Sequence, residues 1–181
     1  AAAQLDAGES RSAMTGGVLA RAAAAVATFC EHHRDATAAK ANAAERIKSA
    51  GIGASAEDYK LTGLMAGDDA SSSDGEDLVR VAELVDSTLL TTLVNCSPPR
   101  IETVVAMLSK TNRCHSESSA VMLASRGKSF TEALLWLYRS NGEHRRVLAA
   151  LTTERCVDSG AWTMEQYQSW VADYLRWLWF S

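Results

Sequence analysis

Apolar residues after position 77 recur at the three- and four-residue spacing of helices packed on one side. Leu78, Val81, Ala82, Val85 and Leu89 form the first stripe. Ser97-Pro98-Pro99 ends that helix, and proline is expected in the first turn of the next, where its missing N–H is not needed. Ile101, Val104, Val105 and Leu108 follow, then a turn at Thr111-Asn112-Arg113. A helix over about 116–125 comes next, closed by Gly127 at a left-handed cap. Ser129-Phe130-Thr131-Glu132 fits a capping box, with Phe130, Ala133, Leu134, Leu137 and Tyr138 as the apolar face behind it. Asn141-Gly142 ends that helix, and Val147, Leu148 and Leu151 mark another. Thr163-Met164-Glu165-Gln166 is a second capping box, with Trp162 and Tyr167 placed as a hydrophobic staple. The last helix carries Tyr167, Trp170, Val171, Tyr174, Leu175 and Leu178 on one face. No stretch alternates apolar and polar residues over strand length.

The first 77 residues read differently. Residues 1–16 are small and polar, and fraying is expected there. From Gly17 to about Ala50 the chain is Ala-rich, with few large apolar side chains: Val18, Leu19, Val26, Phe29 and Ile47. Such a helix can approach a neighbour closely but buries little area per turn. Gly51-Ile52-Gly53 should stop it, and a short helix is expected over about 56–65. Gly67 to Asp77, with five carboxylates, three serines and no basic residue, reads as a solvated linker. The expected organisation is therefore 1–77, an Ala-rich helical segment plus acidic linker, and 78–181, a helical-hairpin domain. Single hairpins cannot bury these narrow stripes, so an all-α fold of stacked hairpins, an α-solenoid, is expected. A compact helical bundle remains the alternative. The start at Ala1-Ala2-Ala3 without Met and the apolar stop at Trp177-Leu178-Trp179-Phe180-Ser181 suit a fragment of a longer chain.

Composition supports the helical reading. There are 31 Ala, only 2 Pro and 11 Gly, and Ala is the best helix former and a poor strand former. A net charge of -4 and a pI near 5.6 give no general attraction to nucleic acid or anionic lipid. The run Ala20–Ala27 is too short to span a membrane. Cys30, Cys96, Cys114 and Cys156 form no CxxC pair, and they read as reduced, mostly buried thiols.

Candidate chemistry is sparse. Cys114-His115 with Glu117 could suggest a nucleophile or a metal, but adjacent residues on a helix point apart. A turn that caps the next helix and buries Cys114 accounts for them better. Glu31-His32-His33-Arg34-Asp35 lacks the four-residue His spacing of a helical zinc pair and reads as a solvated face. His144-Arg145-Arg146 reads as an exposed helix start, with phosphate or an acidic partner as the sharper alternative. Trp170 shares the apolar face of the last helix, and Trp177, Trp179 and Phe180 make its terminus apolar nearly all round. That pattern suits burial under further helices, or an anchor for a partner or membrane surface. No residue is assigned a catalytic, cofactor-binding or metal-binding role, and no cofactor is expected.

One segment resembles a known family. Leu84-Val85-Asp86-Ser87-Thr88-Leu89-Leu90 comes first, then Asn112-Arg113-Cys114-His115-Ser116-Glu117-Ser118. Gly127-Lys128-Ser129-Phe130-Thr131-Glu132-Ala133-Leu134, Leu137-Tyr138, Asn141-Gly142-Glu143-His144 and Val147-Leu148 complete the series. This order is similar to the central helical region of the vacuolar sorting protein thirty-nine and transforming-growth-factor-β receptor-associated protein family. Ser87 and Phe130 stand where that family usually has Thr and Tyr, and Arg146-Val147 where Lys-Ala is common. The resemblance implies a non-enzymatic scaffold segment of an endolysosomal tethering subunit, of the HOPS or CORVET complex. It implies other tethering subunits and a Rab GTPase as partners. It also implies a cytoplasmic protein held peripherally on late endosome, lysosome or vacuole membranes through those partners. Two rivals stay open on the residues alone: a helical-repeat adaptor unrelated to trafficking, and a small helical enzyme or cofactor domain.

Overall fold

A computed structural model describes residues 2–50, 55–63, 73–110 and 112–180. The described residues are helical with short connections and contain no strand. They form two compact units, 1–100 and 101–181.

The first unit holds α1 (Ala2–Ala50), α2 (Ala56–Thr62) and α3 (Ser73–Asn95). Helix α1 is about 74 Å long at 1.5 Å per residue. It covers residues 2–16, where fraying was expected: an Ala-rich backbone continues a helix readily once it has started. Helix α3 likewise begins earlier than the acidic segment suggested. Glu76 and Asp77 lie near its start, where carboxylates are favoured by the positive end of the helix dipole. The expected stop at Gly51-Ile52-Gly53 and most of the expected linker fall outside the described residues. Helix α3 lies along α1, and both belong to the first unit.

The α1 and α3 helices run antiparallel, as the cross-pairs Arg34–Asp86 and Lys48–Glu76 show, and Arg100, beyond the end of α3, pairs with Glu31. The buried side of α1 carries Ala27, Cys30, Ala41, Ala44 and Ile47, and that of α3 carries Ala82, Leu89, Leu90, Leu93 and Val94. With the Arg34–Asp86 pair included, helical spacing of three and four residues runs through Ala27, Cys30 and Arg34 and again through Ala41, Ala44 and Ile47 on α1, and through Ala82, Asp86, Leu90 and Leu93 or Val94 on α3, as in a two-helix seam. Within the expected α3 stripe, Val81 is exposed while Asp86 is buried, so the seam is rotated toward Leu90 and Val94. Arg34 meets Asp86 there, its Nε donating to Asp86 Oδ1 at 2.7 Å. Helix α2 is shorter than expected. Ser55 caps it by accepting from the Asp58 N–H, and Gly63 closes it at φ 76°, a left-handed position that suits Gly. Arg46 of α1 holds α2 by donating to Asp58, Nε to Oδ1 at 3.0 Å.

The second unit holds α4 (Ile101–Leu108), α5 (Ser116–Ser125), α6 (Thr131–Ser140), α7 (His144–Ala150) and α8 (Met164–Phe180). A 3-10 turn, Lys128–Phe130, leads into α6, and a π-helical turn, Glu154–Asp158, lies between α7 and α8. The two prolines sit before α4 and not in its first turn, since Arg100 intervenes. Helix α6 is the hub: it packs on α4, α5 and α7. Ala133, Leu135 and Leu137 are all buried, although alternate positions on a helix face different ways. The expected capping box at Ser129 does not form. Phe130 occupies the cap position with no side-chain hydrogen bond, and Glu132 instead accepts from Trp136 Nε1 at 3.4 Å. The chain enters α6 through the 3-10 turn, which places Ser129 one residue too early. The box at Thr163 does form. Thr163 Oγ1 accepts from the Gln166 N–H at 3.2 Å, and Gln166 Oε1 accepts from the Thr163 N–H at 2.9 Å. Trp162, expected as a staple, lies beside Trp170 with ring centres 6.1 Å apart.

Candidate interaction surface

The turn before α5 is structural. Asn112 Nδ2 donates to Leu108 O and to Ser140 Oγ, and its Oδ1 accepts from the Cys114 N–H. Cys114 is buried. His115 caps α5, its Nδ1 accepting from the Ser118 N–H at 3.4 Å. The Ser116 hydroxyl donates to Glu143, at the start of α7. The segment resembling the family turn therefore ties the helix connections together, and Cys114 and His115 serve packing and capping. His32 and His33 are exposed, as a solvated face requires, with Phe29 against His33 at 4.4 Å. Cys30 and Cys156 are also buried, and burial pushes both thiols up. Among the described residues no group of three or more His, Cys, Asp or Glu could hold a metal ion, and no helix is long and apolar enough to cross a membrane.

His144 departs from the expected exposed start: it is part-buried, with Nδ1 2.9 Å from the Tyr174 hydroxyl. Arg145 and Arg146 remain exposed, and Arg146 pairs with Glu143 at 2.9 Å. Tyr174 is the centre of the α8 packing. It is fully buried with Leu135, Val147 and Ala150, and Tyr138, Leu151, Trp162, Trp170 and Trp177 close around them. Burial raises its phenol above the ordinary value, against a smaller lowering by Arg139. Trp170 and Trp177 both stack with it, at 5.5 and 6.0 Å. The guanidinium of Arg139 lies over both Trp136 and Trp177, at 4.5 and 4.6 Å, and so joins α6 to α8 by cation–π attraction. Burial lowers the Arg139 pKa, while Tyr174 and Asp173 oppose that shift.

Two open grooves of similar size flank this packing. One, about 530 Å³, has Lys128 and Arg155 among its lining residues, and Lys128 Nζ already donates to Ser159 O at 3.2 Å. The other, about 510 Å³, runs between α6 and α8 and is lined by Trp136, Trp162 and Trp170 with Glu132, Glu165 and Asp173. The Trp-rich end thus divides. Trp170 and Trp177 pack inward, while Leu175, Trp179 and Phe180 are exposed. Sequence reasoning found the tryptophans but not the groove. Glu132 and Trp136 share one face of α6, and Glu165, Ser169 and Asp173 one face of α8, at legible four-residue spacing. Only the packing of α8 beside α6 brings the two rows together.

An all-α protein of packed helices is the class the described residues define. The family model described as vacuolar sorting protein 39 domain 1 matches residues 85–180, from within α3 to the end of α8. The chain belongs to that family, which makes it a vacuolar-sorting, tethering-related protein. This sets aside the adaptor unrelated to trafficking. No curated protein and no solved structure matches the chain.

Proposed function

We propose that this chain is a non-enzymatic scaffold segment of an endolysosomal or vacuolar tethering subunit, working in a HOPS- or CORVET-type complex. The observation that carries the reading is the family match over residues 85–180. The helical packing supports it, because α6 holds its neighbours through buried contacts that leave outer helix faces available for other proteins. The mechanism is geometric: packed helices keep binding faces at fixed positions. Its partners are other tethering subunits and a Rab GTPase, and it reaches late endosome, lysosome or vacuole membranes peripherally through them. Residues 78–181 form the functional module, and 1–77 supply α1 as a brace for α3. The test is to delete the gene in the source cells and restore it with or without residues 78–181. Fragmented vacuoles or delayed endolysosomal delivery with the deleted form, corrected by the whole protein, support the reading. Normal delivery in the complete absence of the protein contradicts it.

A further inference from the structure

The groove between α6 and α8 combines aromatic rings with carboxylates and has no basic residue in its lining. Trp136 and Trp170 meet edge to face, with centres 6.0 Å apart at 73°, and Trp162 is the third indole, 6.1 Å from Trp170. Glu132 stands on the α6 side, and Glu165 and Asp173 on the α8 side. Asp173 makes an exposed pair with Arg176 at 3.2 Å, the kind of contact a partner's cation can exchange at little cost. Cations sit favourably over indole faces, and Trp136 already accepts one such contact from Arg139.

We propose that this groove docks an extended Lys/Arg-bearing segment of a protein partner. Charge complementarity selects the occupant: Asp173 is already matched by Arg176, and the further two carboxylates, Glu132 and Glu165, suit a segment with more than one positive charge. Length agrees: from Glu165 to Asp173 is about 12 Å of helix axis, the span of about four extended residues. The basic side chains lie against Trp136, Trp162 and Trp170, and the carboxylates meet the cationic heads at the rim. The proposal rests on the scaffold reading for its claim that the occupant is a protein.

The test uses the whole 181-residue chain and a fluorescein-labelled Gly-Lys-Arg-Lys-Gly peptide, with Gly-Glu-Asp-Glu-Gly and tetramethylammonium as comparisons. Binding is followed by anisotropy and by the indole N–H signals in nitrogen-15 NMR. The basic peptide should bind, weaken with salt, and move the indole signals of Trp136, Trp162 and Trp170 more than that of Trp179. Glu165→Gln should weaken it about threefold, as an exposed charge contact does. Trp162→Ala should weaken it about tenfold through the lost cation–π surface. Glu165 is exposed, so its variant remains informative if Trp162→Ala fails to fold. Equal binding of the acidic peptide, no binding of the basic one, or indifference to Glu165→Gln overturns the proposal. Tetramethylammonium binding as well as the peptide does the same, since a small cation would then suffice. Loss of peptide binding alongside normal tethering activity removes the groove alone. Peptide binding in a protein with no tethering role keeps the groove and removes the trafficking partner.

Discussion

Asp86→Ala should loosen α1 from α3 more than any exposed substitution in the first unit. The Asp86 side chain is 5% exposed and that of Arg34 13%, with Nε and Oδ1 2.7 Å apart. Removing the carboxylate leaves the guanidinium in the seam without that partner, and breaking a buried pair in this way costs about 3–5 kcal/mol. The rest of the seam offers little to offset that loss, because the alanines on the buried side of α1, Ala27, Ala41 and Ala44, give a narrow contact. A polar pair in such a seam also selects one register, since a row of alanines tolerates sliding. The assay is urea unfolding by circular dichroism at 222 nm, with amide exchange of α1 and α3 as the local readout. All five Trp lie between Trp136 and Trp179, so indole fluorescence follows the second unit separately. Expected is faster exchange in α1 and α3 and a lower circular-dichroism midpoint, matching a loss of about 3 kcal/mol. A loss below about 0.5 kcal/mol, the range of ordinary surface substitutions, would refute the reasoning. A double change, Arg34→Met with Asp86→Leu, should recover stability, since both charges leave the seam together.

Further expectations follow from single contacts. Thr163→Ala removes the reciprocal cap of α8 and should cost about 1 kcal/mol in thermal unfolding, whereas Ser129→Ala, outside any formed box, should stay within about 0.5 kcal/mol. Equal effects of the two would contradict the cap assignments. Arg46 and Ser55 hold the Asp58 carboxyl below its ordinary value of 3.8. A lowered folded value means the stabilisation is complete above 3.8 and is lost as pH falls through the lowered value. Protection of α2 amides should therefore decline in that acid range, and an unchanged acid limb in Asp58→Asn would count against the pairing. Tyr174→Phe should cost about 1 kcal/mol, the usual net value of one hydrogen bond, through loss of the contact to His144. A variant as stable as the parent in urea would show that contact to be idle.

The helical class and many element limits are legible from spacing and punctuation. The start of α5, the stop at Asn141-Gly142 and the Thr163 cap all follow from local chemistry, whereas α5 ends on Arg126 in a right-handed conformation and Gly127, at φ 87° and ψ -169°, is not the left-handed cap expected. The Asn112-to-Ser118 segment was legible as a capping turn because Asn and His side chains bond nearby backbone. What escaped depends on distant partners. Residues 2–16 lack a local stop signal strong enough to set the start of α1. The Ser129 motif matches a capping box in letters but meets a 3-10 entry in three dimensions. Arg34 reads as part of a solvated face, yet Asp86, fifty-two residues later, draws it into the seam. His144 reads as an exposed start until Tyr174 is packed beside it. The acidic aromatic groove needs two helices whose pairing no spacing rule supplies.

The most direct test of the scaffold account is affinity purification of the tagged whole protein from its own cells, with quantitative mass spectrometry of what accompanies it. The account expects tethering-complex subunits in near-stoichiometric amounts, retained when the tag is moved and lost when residues 78–181 are deleted. Recovery of the intact protein with none of those subunits, under conditions that preserve the complex when another subunit is tagged, would contradict it.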